Sequence, residues 1–142
     1  MTTVKQLLAE KGHTVWTIDP DKTVLDAIRL LAEKDVGALV VVDGDRPIGM
    51  FSERDYVRKV YLKGKTSPTT LVREVMSTPL VSVGYDHTTE QCMAIMTNRR
   101  IRHLPVIEDG RLVGIVSIGD LVNSIIREQH QIIEQLENYI HS

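Results

Sequence analysis

Two Ser-x-x-Asp motifs hold the residues of this chain best suited to chemistry: Ser52 with Asp55, and Ser117 with Asp120. Each follows a glycine and two apolar residues, in GMFSERD and in GIVSIGD. At the mouth of a helix this spacing makes an N-terminal cap: the hydroxyl accepts a backbone N–H, and the aspartate favours the positive helix end. The same geometry also suits a nucleotide. Free N–H groups and the dipole attract an anion, and a carboxylate beside them can hold a ribose diol. A cap is expected at both motifs whatever else occurs there. Two motifs in register, each where a strand hands over to a helix, raise the nucleotide reading above that of one motif alone.

Charge separates the two motifs. SERD, which contains Arg54, is soon followed by Arg58 and Lys59, whereas SIGD is followed by Leu121 and Val122. The apolar strand upstream of the first motif is entered through Gly37 and Ala38, and its counterpart through Arg102 and His103, with Arg99 and Arg100 close by. If a cationic motif and a cationic strand entry meet in space, one site gathers several charge-assisted phosphate contacts. Arg99 and Arg100 equally fit a solvated helix end, complementing its dipole.

The elements that position these residues occur twice. With a shift of 65 and no gap, Val15–Val57 matches Leu80–Val122 in pattern, with identities that include Asp21/Asp86, Thr23/Thr88, Arg46/Arg111, Gly49/Gly114, Ser52/Ser117 and Asp55/Asp120. A fixed self-similar period means one supersecondary unit used twice. The expected domains are repeat 1 over 1–66 and repeat 2 over 67–142, joined by the polar GKTSPTT. In repeat 1, Val4, Leu7 and Leu8 form a short helical face before Gly12, and a brief strand covers Val15 to Ile18. Thr23 caps a helix carrying Val24, Ala27, Ile28 and Leu31, which Gly37 ends. Strands at Leu39–Val42 and Ile48–Phe51 flank an Asp-Gly-Asp turn, and a helix from Ser52 to about Lys63 turns Tyr56, Val57, Val60 and Tyr61 inward. Repeat 2 follows suit: a helix at Val72–Met76 stopped by Pro79, and a strand at Leu80–Val83. A helix capped by Thr88 and Gln91 then buries Cys92, Met93, Ile95 and Met96, and the strands are Leu104–Ile107 and Leu112–Val116. The last helix outlasts its counterpart, with Leu121, Ile125, Ile132, Leu136 and Ile140 as an apolar seam that needs a partner surface, on its own domain or on a second copy.

Composition bounds the function. The chain has 142 residues, 42% hydrophobic and 25% charged, the balance of a globular protein that can bury a core. A formal charge of -2 speaks against a general nucleic-acid binder. One cysteine, Cys92, allows no intramolecular disulfide, and its apolar helical face makes it inert core. No apolar run approaches the ~18 residues of a membrane span, and MTTVKQLLAEKG lacks the apolar core of a signal peptide. A cytoplasmic setting without membrane contact is therefore expected. The 5 histidines show no metal-ligand spacing, and there is no nucleophile motif, Walker loop or GxGxxG, so no catalytic residue and no metal site is expected. Trp16 is read as packing rather than a base-stacking platform.

At the repeated G-apolar-apolar-S-x-x-D, the chain resembles the CBS-domain family, and in particular stand-alone proteins made of one CBS pair (a Bateman module) in bacteria and plant organelles. GMFSERDYVRKV, NRRIRHLPV and GIVSIGDLV carry the resemblance, which covers both repeats. It implies an α+β fold of two β-α-β-β-α units packed through their sheets about a pseudo-two-fold, with a ligand cleft between them and a tendency to form homodimers. It also implies composite sites, the Ser-x-x-Asp of one copy facing the first strand and second-strand entry of the other. Site one would join Ser52, Arg54 and Asp55 to Ser82, Val83, Arg102 and His103. Site two would join Ser117 and Asp120 to Thr17, Ile18, Gly37 and Ala38. Cations then favour site one for phosphate, and Asp55→Ala is expected to weaken binding more than Asp120→Ala.

The function this implies is a regulatory sensor of an adenosine nucleotide (AMP, ADP, ATP or NAD(H)) that modulates a partner protein and uses no catalytic cofactor. S-adenosylmethionine is disfavoured, because its own sulfonium is cationic. The competing reading is a ligand-free dimeric assembly module, in which the caps are structural and the long helix is the working surface.

Overall fold

The computed structural model describes residues 1–141 as an α+β chain of two repeats. Its elements are α1 (Val4–Lys11), β1 (Thr17–Ile18), α2 (Val24–Lys34), β2 (Ala38–Asp43), β3 (Arg46–Ser52) and α3 (Glu53–Asp55), which runs on as a π-helical stretch, Tyr56–Tyr61. There follow α4 (Val72–Val75), α5 (Thr89–Arg99), β4 (His103–Glu108), β5 (Arg111–Ser117) and α6 (Ile118–His141). By its contacts the chain divides into two compact units. One comprises Thr14–Val81 with Asp109–Leu112; the other comprises Met1–His13, Ser82–Glu108 and Val113–Ser142.

The units do not follow the order of the repeats. α1, which precedes repeat 1, belongs to the unit built on the hairpin of repeat 2, and α4 belongs to the unit of repeat 1. The exchange explains a glycine pair. A Cβ on Gly114 would stand 2.9 Å from Leu8 Cδ1, and one on Gly49 would stand 2.9 Å from the Ser77 carbonyl oxygen. Each repeated glycine is thus the point where a leading segment presses on the outer strand of a hairpin. The contact is hydrogen-bonded in the unit of repeat 1: Met50 and Ser77 exchange backbone bonds of 3.1 and 2.8 Å. In the other unit the His13 ring meets the Val113 carbonyl at 3.0 Å.

Within the unit of repeat 1, β1 pairs parallel with β2, and β2 antiparallel with β3, with a bulge between Val41 and Val42. Ile18, Val24, Ala27, Leu31, Leu39, Val41, Phe51 and Val60 form its core with Val72 and Val75. Thr23 caps α2 in a full capping box with Asp26, so the helical spacing of its apolar residues is realised. The stop is not Gly37, however. Asp35 takes the left-handed conformation at φ 52°, a role that a short polar side chain tolerates. The helix expected over Ser52–Lys63 loses its α-helical register after Asp55. With bonds from residue i+5, as from Leu62 N–H to the Val57 carbonyl, Val60 is buried, Tyr56 is half-buried, and Val57 and Tyr61 face outward.

In the unit of repeat 2, β4 and β5 form a two-stranded sheet, and the strand expected at Leu80–Val83 shrinks to one parallel bridge, Val83 to Val106. Thr88 and Gln91 form the expected box at the start of α5. Cys92 and Met96 of that helix are buried, while Met93 and Ile95 are half-buried. Among the described residues no helix is long and apolar enough to cross a membrane.

Candidate functional site

Both Ser-x-x-Asp motifs close as reciprocal caps. The Ser52 N–H donates to Asp55 Oδ2 at 3.0 Å and the Asp55 N–H to Ser52 Oγ at 3.3 Å. In the second motif the Ser117 N–H donates to Asp120 Oδ2 at 2.8 Å and the Asp120 N–H to Ser117 Oγ at 3.1 Å. The structural role read from the spacing is therefore present twice.

The structure brings each motif to the second-strand entry of its own repeat. The Glu53 N–H donates to the Gly37 carbonyl at 3.1 Å, and Ser52 lies opposite Ala38 in the β2–β3 register. Ile118 N–H likewise donates to the Arg102 carbonyl at 2.9 Å, placing Ser117 and Asp120 beside Arg102 and His103. Thr17 and Ile18 pair with Val40 and Val41 in the first unit, and Ser82 and Val83 belong to the second. Of the expected contact residues, Ile18, Ala38, Asp55 and Val83 are buried, while Thr17, Arg54, Ser82 and Arg102 are exposed. The groupings expected across repeats join residues of different compact units.

The two carboxylates are held differently. Asp55 is buried; its Oδ1 accepts from Ser77 Oγ at 2.8 Å and from Lys59 Nζ at 3.1 Å. Asp120 accepts instead from Lys11 Nζ at 2.6 Å, and the same ammonium donates to the Ile115 carbonyl at 2.6 Å. Burial pushes the Asp120 carboxyl up, but the Lys11 and Ser117 hydrogen bonds outweigh it and hold the group below the usual carboxylate value. His103 is pushed the opposite way for a base. Burial lowers its pKa, Lys11 and Arg102 lower it further, and Asp120 only partly offsets them. The ring is thus neutral at pH 7 and can accept or donate a hydrogen bond. A pocket of about 110 Å³ beside Asp120 is lined by Leu7, Glu10, Lys11, Asp120, Asn123 and Arg127. That is well short of the ~300 Å³ of a complete small-molecule site, so it can take only a fragment of one.

Lys11 and Ser77 are the residues that reading the sequence passed over. Both lie outside the aligned stretches Val15–Val57 and Leu80–Val122, and no local pattern says that the end of a leading segment reaches a carboxylate of the following or preceding repeat. Trp16 is a smaller correction. It is partly exposed, with Lys34 Nζ 4.3 Å above its ring, rather than packed in a core. Cys92 is as expected, buried with its thiol pushed up to about 11 by burial. Among the described residues no cluster of three or more His, Cys, Asp or Glu could hold a metal ion.

The comparisons agree with this duplicated architecture. The CBS domain family model matches residues 4–62 and 72–127, and the chain belongs to the CBS-domain family as a CBS-pair regulatory module. It is 36% identical to the CBS domain-containing protein CBSX3, mitochondrial, of Arabidopsis thaliana, over 98% of this chain and 72% of that one. The crystal structure of the CBS-domain containing protein ATU1752 from Agrobacterium tumefaciens has a TM-score of 0.82 and 43% identity, covering 87% of this chain and 98% of that chain. The CBS domain pair of protein MJ0100, solved with 5'-methylthioadenosine and S-adenosyl-L-methionine, has a TM-score of 0.80 at 22% identity, covering 90% of this chain and 98% of that chain, and shares the fold.

Proposed function

We propose that this protein is a non-catalytic sensor of an adenosine nucleotide, of the AMP, ADP, ATP or NAD(H) class, that works as a homodimer and modulates a partner protein. The observation that carries this reading is the convergence at the second motif. Ser117 and Asp120 offer a carboxylate and a hydroxyl to a ribose diol, while Lys11, Arg102 and the neutral His103 stand within the same unit for phosphate and base. Repeat 1 supplies the same box with Gly37 and Ala38 at its strand entry and with Arg54 and Lys59 as its cations.

The ligand-contacting set is thus read as two groups. Ser117, Asp120, Arg102, His103, Ser82 and Val83 serve one unit, and Ser52, Arg54, Asp55, Thr17, Ile18, Gly37 and Ala38 the other. The duplicated unit is read as 1–66 and 67–142, with leading segments exchanged. A nucleotide entering beside Asp120 competes with Lys11 for the carboxylate, and the displaced ammonium becomes a phosphate partner. This grouping places the stronger phosphate site at Asp120, reversing the ranking drawn from charge along the sequence. MJ0100's adenosyl ligands support the ligand class, and the cations here favour a phosphate-bearing member over a sulfonium.

Calorimetric titration with AMP, ATP, NAD and S-adenosylmethionine, on the wild type and on the Asp120→Ala and Asp55→Ala variants, tests this. Micromolar binding of a phosphate-bearing ligand, lost by at least tenfold in Asp120→Ala and less in Asp55→Ala, is expected. Binding by none of the four overturns the sensor and favours the assembly module.

A further inference from the structure

The first helix, α1, is fastened to its unit differently at its two ends. At the start the bonds are backbone. Val4 N–H donates to the His87 carbonyl at 2.8 Å, Lys5 N–H to the Tyr85 carbonyl at 3.2 Å, and Thr89 N–H to the Thr2 carbonyl at 3.0 Å. A capping box of Thr3 and Gln6 closes that end, and Val4, Leu7 and Leu8 are buried. Beyond Leu8 the fastenings are side chains. Lys11 Nζ donates to the Ile115 carbonyl and to Asp120 Oδ2, both at 2.6 Å, and His13 Nδ1 lies 3.0 Å from the Val113 carbonyl. Glu10 and Arg127 add an exposed ion pair, which holds little in water.

The same strand position is held by different means in the two repeats. Met50, the counterpart of Ile115, is bonded to Ser77 through backbone in both directions. Such a bridge opens only if the two segments separate. An ammonium on a flexible four-carbon stem can turn to a new partner while the main chain stays where it is. Lys11 is also the last residue of α1, which Gly12 ends at φ 105°. After His13 the chain leaves this compact unit for the other. The lysine that occupies the carboxylate of the second box therefore stands beside the point where the chain crosses over.

We propose that Lys11 is a latch: a ligand that takes Asp120 releases it, and the release loosens the Gly12–His13 link while the start of α1 stays docked. A ribose hydroxyl donating to Asp120 replaces the charged partner of Lys11, whose remaining bond, to the neutral Ile115 carbonyl, lacks the strength of an ion pair. Leu8, buried beside Gly114, confines the loosening to the turn that follows it. The first box cannot signal in this way. Lys59 holds Asp55 from the same helical stretch, and a Ser77 hydroxyl displaced from Asp55 leaves its segment tied to Met50 by backbone. This inference rests on the nucleotide reading above and names how one of its sites reports occupancy.

Hydrogen exchange at single amides of the full chain tests it. Gly12 N–H, bonded to the Leu8 carbonyl at 2.7 Å, reports the latched end, and Leu7 N–H, bonded to the Thr3 carbonyl at 3.0 Å, reports the docked start. Lys11→Met should speed exchange at Gly12 about five- to tenfold and leave Leu7 unchanged. In the wild type, AMP or NAD at a concentration that calorimetry shows to be saturating should speed Gly12 by a similar factor, and in Lys11→Met it should add nothing. A Lys11→Met chain that exchanges at Gly12 like the wild type overturns the latch. Bound nucleotide that slows Gly12 or leaves it unchanged overturns the release and leaves the sensor reading intact. Binding of neither nucleotide overturns the sensor reading and the release with it, a failure seen in the calorimeter rather than in the exchange.

Discussion

The two Ser-x-x-Asp boxes share one local geometry and differ in what reaches them from afar. Asp55 is closed in by Ser77 and by Lys59 of its own helix, whereas Asp120 is held by Lys11 from the N-terminal helix and keeps a pocket beside it. In both, the distant group comes from a leading segment that the chain has exchanged between repeats. The difference shows how a duplicated motif acquires two characters. The cap is copied with the sequence, but the group that satisfies its spare carboxylate oxygen is supplied by whichever segment packs there. Asp55 is buried with two side-chain partners on one oxygen, whereas the spare interaction of Asp120 comes from a single, partly exposed lysine.

The glycines should break the comparison most sharply. Gly49→Ala drives a methyl into the Ser77 carbonyl oxygen, backbone that cannot rotate away, so a loss of about 2–3 kcal/mol in urea unfolding is expected. Gly114→Ala meets the two methyls of Leu8, a buried side chain that still has more freedom than backbone, and should cost about 1–2 kcal/mol. Equal costs would mean that the two leading segments are held with the same rigidity.

Lys11→Met removes the donor to Asp120 and to the Ile115 carbonyl, and a loss of about 1 kcal/mol is expected from two partly exposed bonds. The Asp120 carboxyl pKa should rise, as read by NMR titration, because the first of the interactions that lower it is gone. An unchanged value would deny Lys11 its hold on the carboxylate. In the wild type the depressed Asp120 pKa contributes stability that is present above the ordinary carboxylate range and lost as pH falls through the folded value. Asp120→Asn should flatten that acid limb.

His103 gives a smaller slope at higher pH. Its pKa is lowered in the fold, so the unfolded chain binds the proton first, and stability falls as pH drops below the ordinary histidine value of ~6.5. His103→Gln should remove this part of the pH dependence while leaving stability at pH 8 within about 0.5 kcal/mol. A wild-type profile flat between pH 7 and 5 would show the ring to be freely hydrated.

Much of the molecule could be read from residue order, and the cases show why. Thr23 with Asp26, Thr88 with Gln91 and both Ser-x-x-Asp boxes are interactions within one helical turn, so their spacing is their geometry. The short aliphatic runs at Leu39–Val42 and Leu104–Ile107 read as strands because they are too short for a helix, and β2 and β4 extend each by one residue at either end. The misread places are those where tertiary packing overrode a local signal. Asp35 rather than Gly37 turns the chain, and the helix after Ser52 changes to π register so that Val60 is buried.

By itself, then, the sequence determined the duplication, the caps and the hairpin strands, since the first is a repeated pattern and the others depend on residues a few positions apart. Only the tertiary structure decided which leading segment lies on which hairpin, and hence that Lys11 meets Asp120 across 109 residues and Ser77 meets Asp55 across 22. Two pseudo-equivalent hairpins offer a leading helix nearly the same surface, and the choice between them rests on packing summed over the whole chain, which no local spacing records.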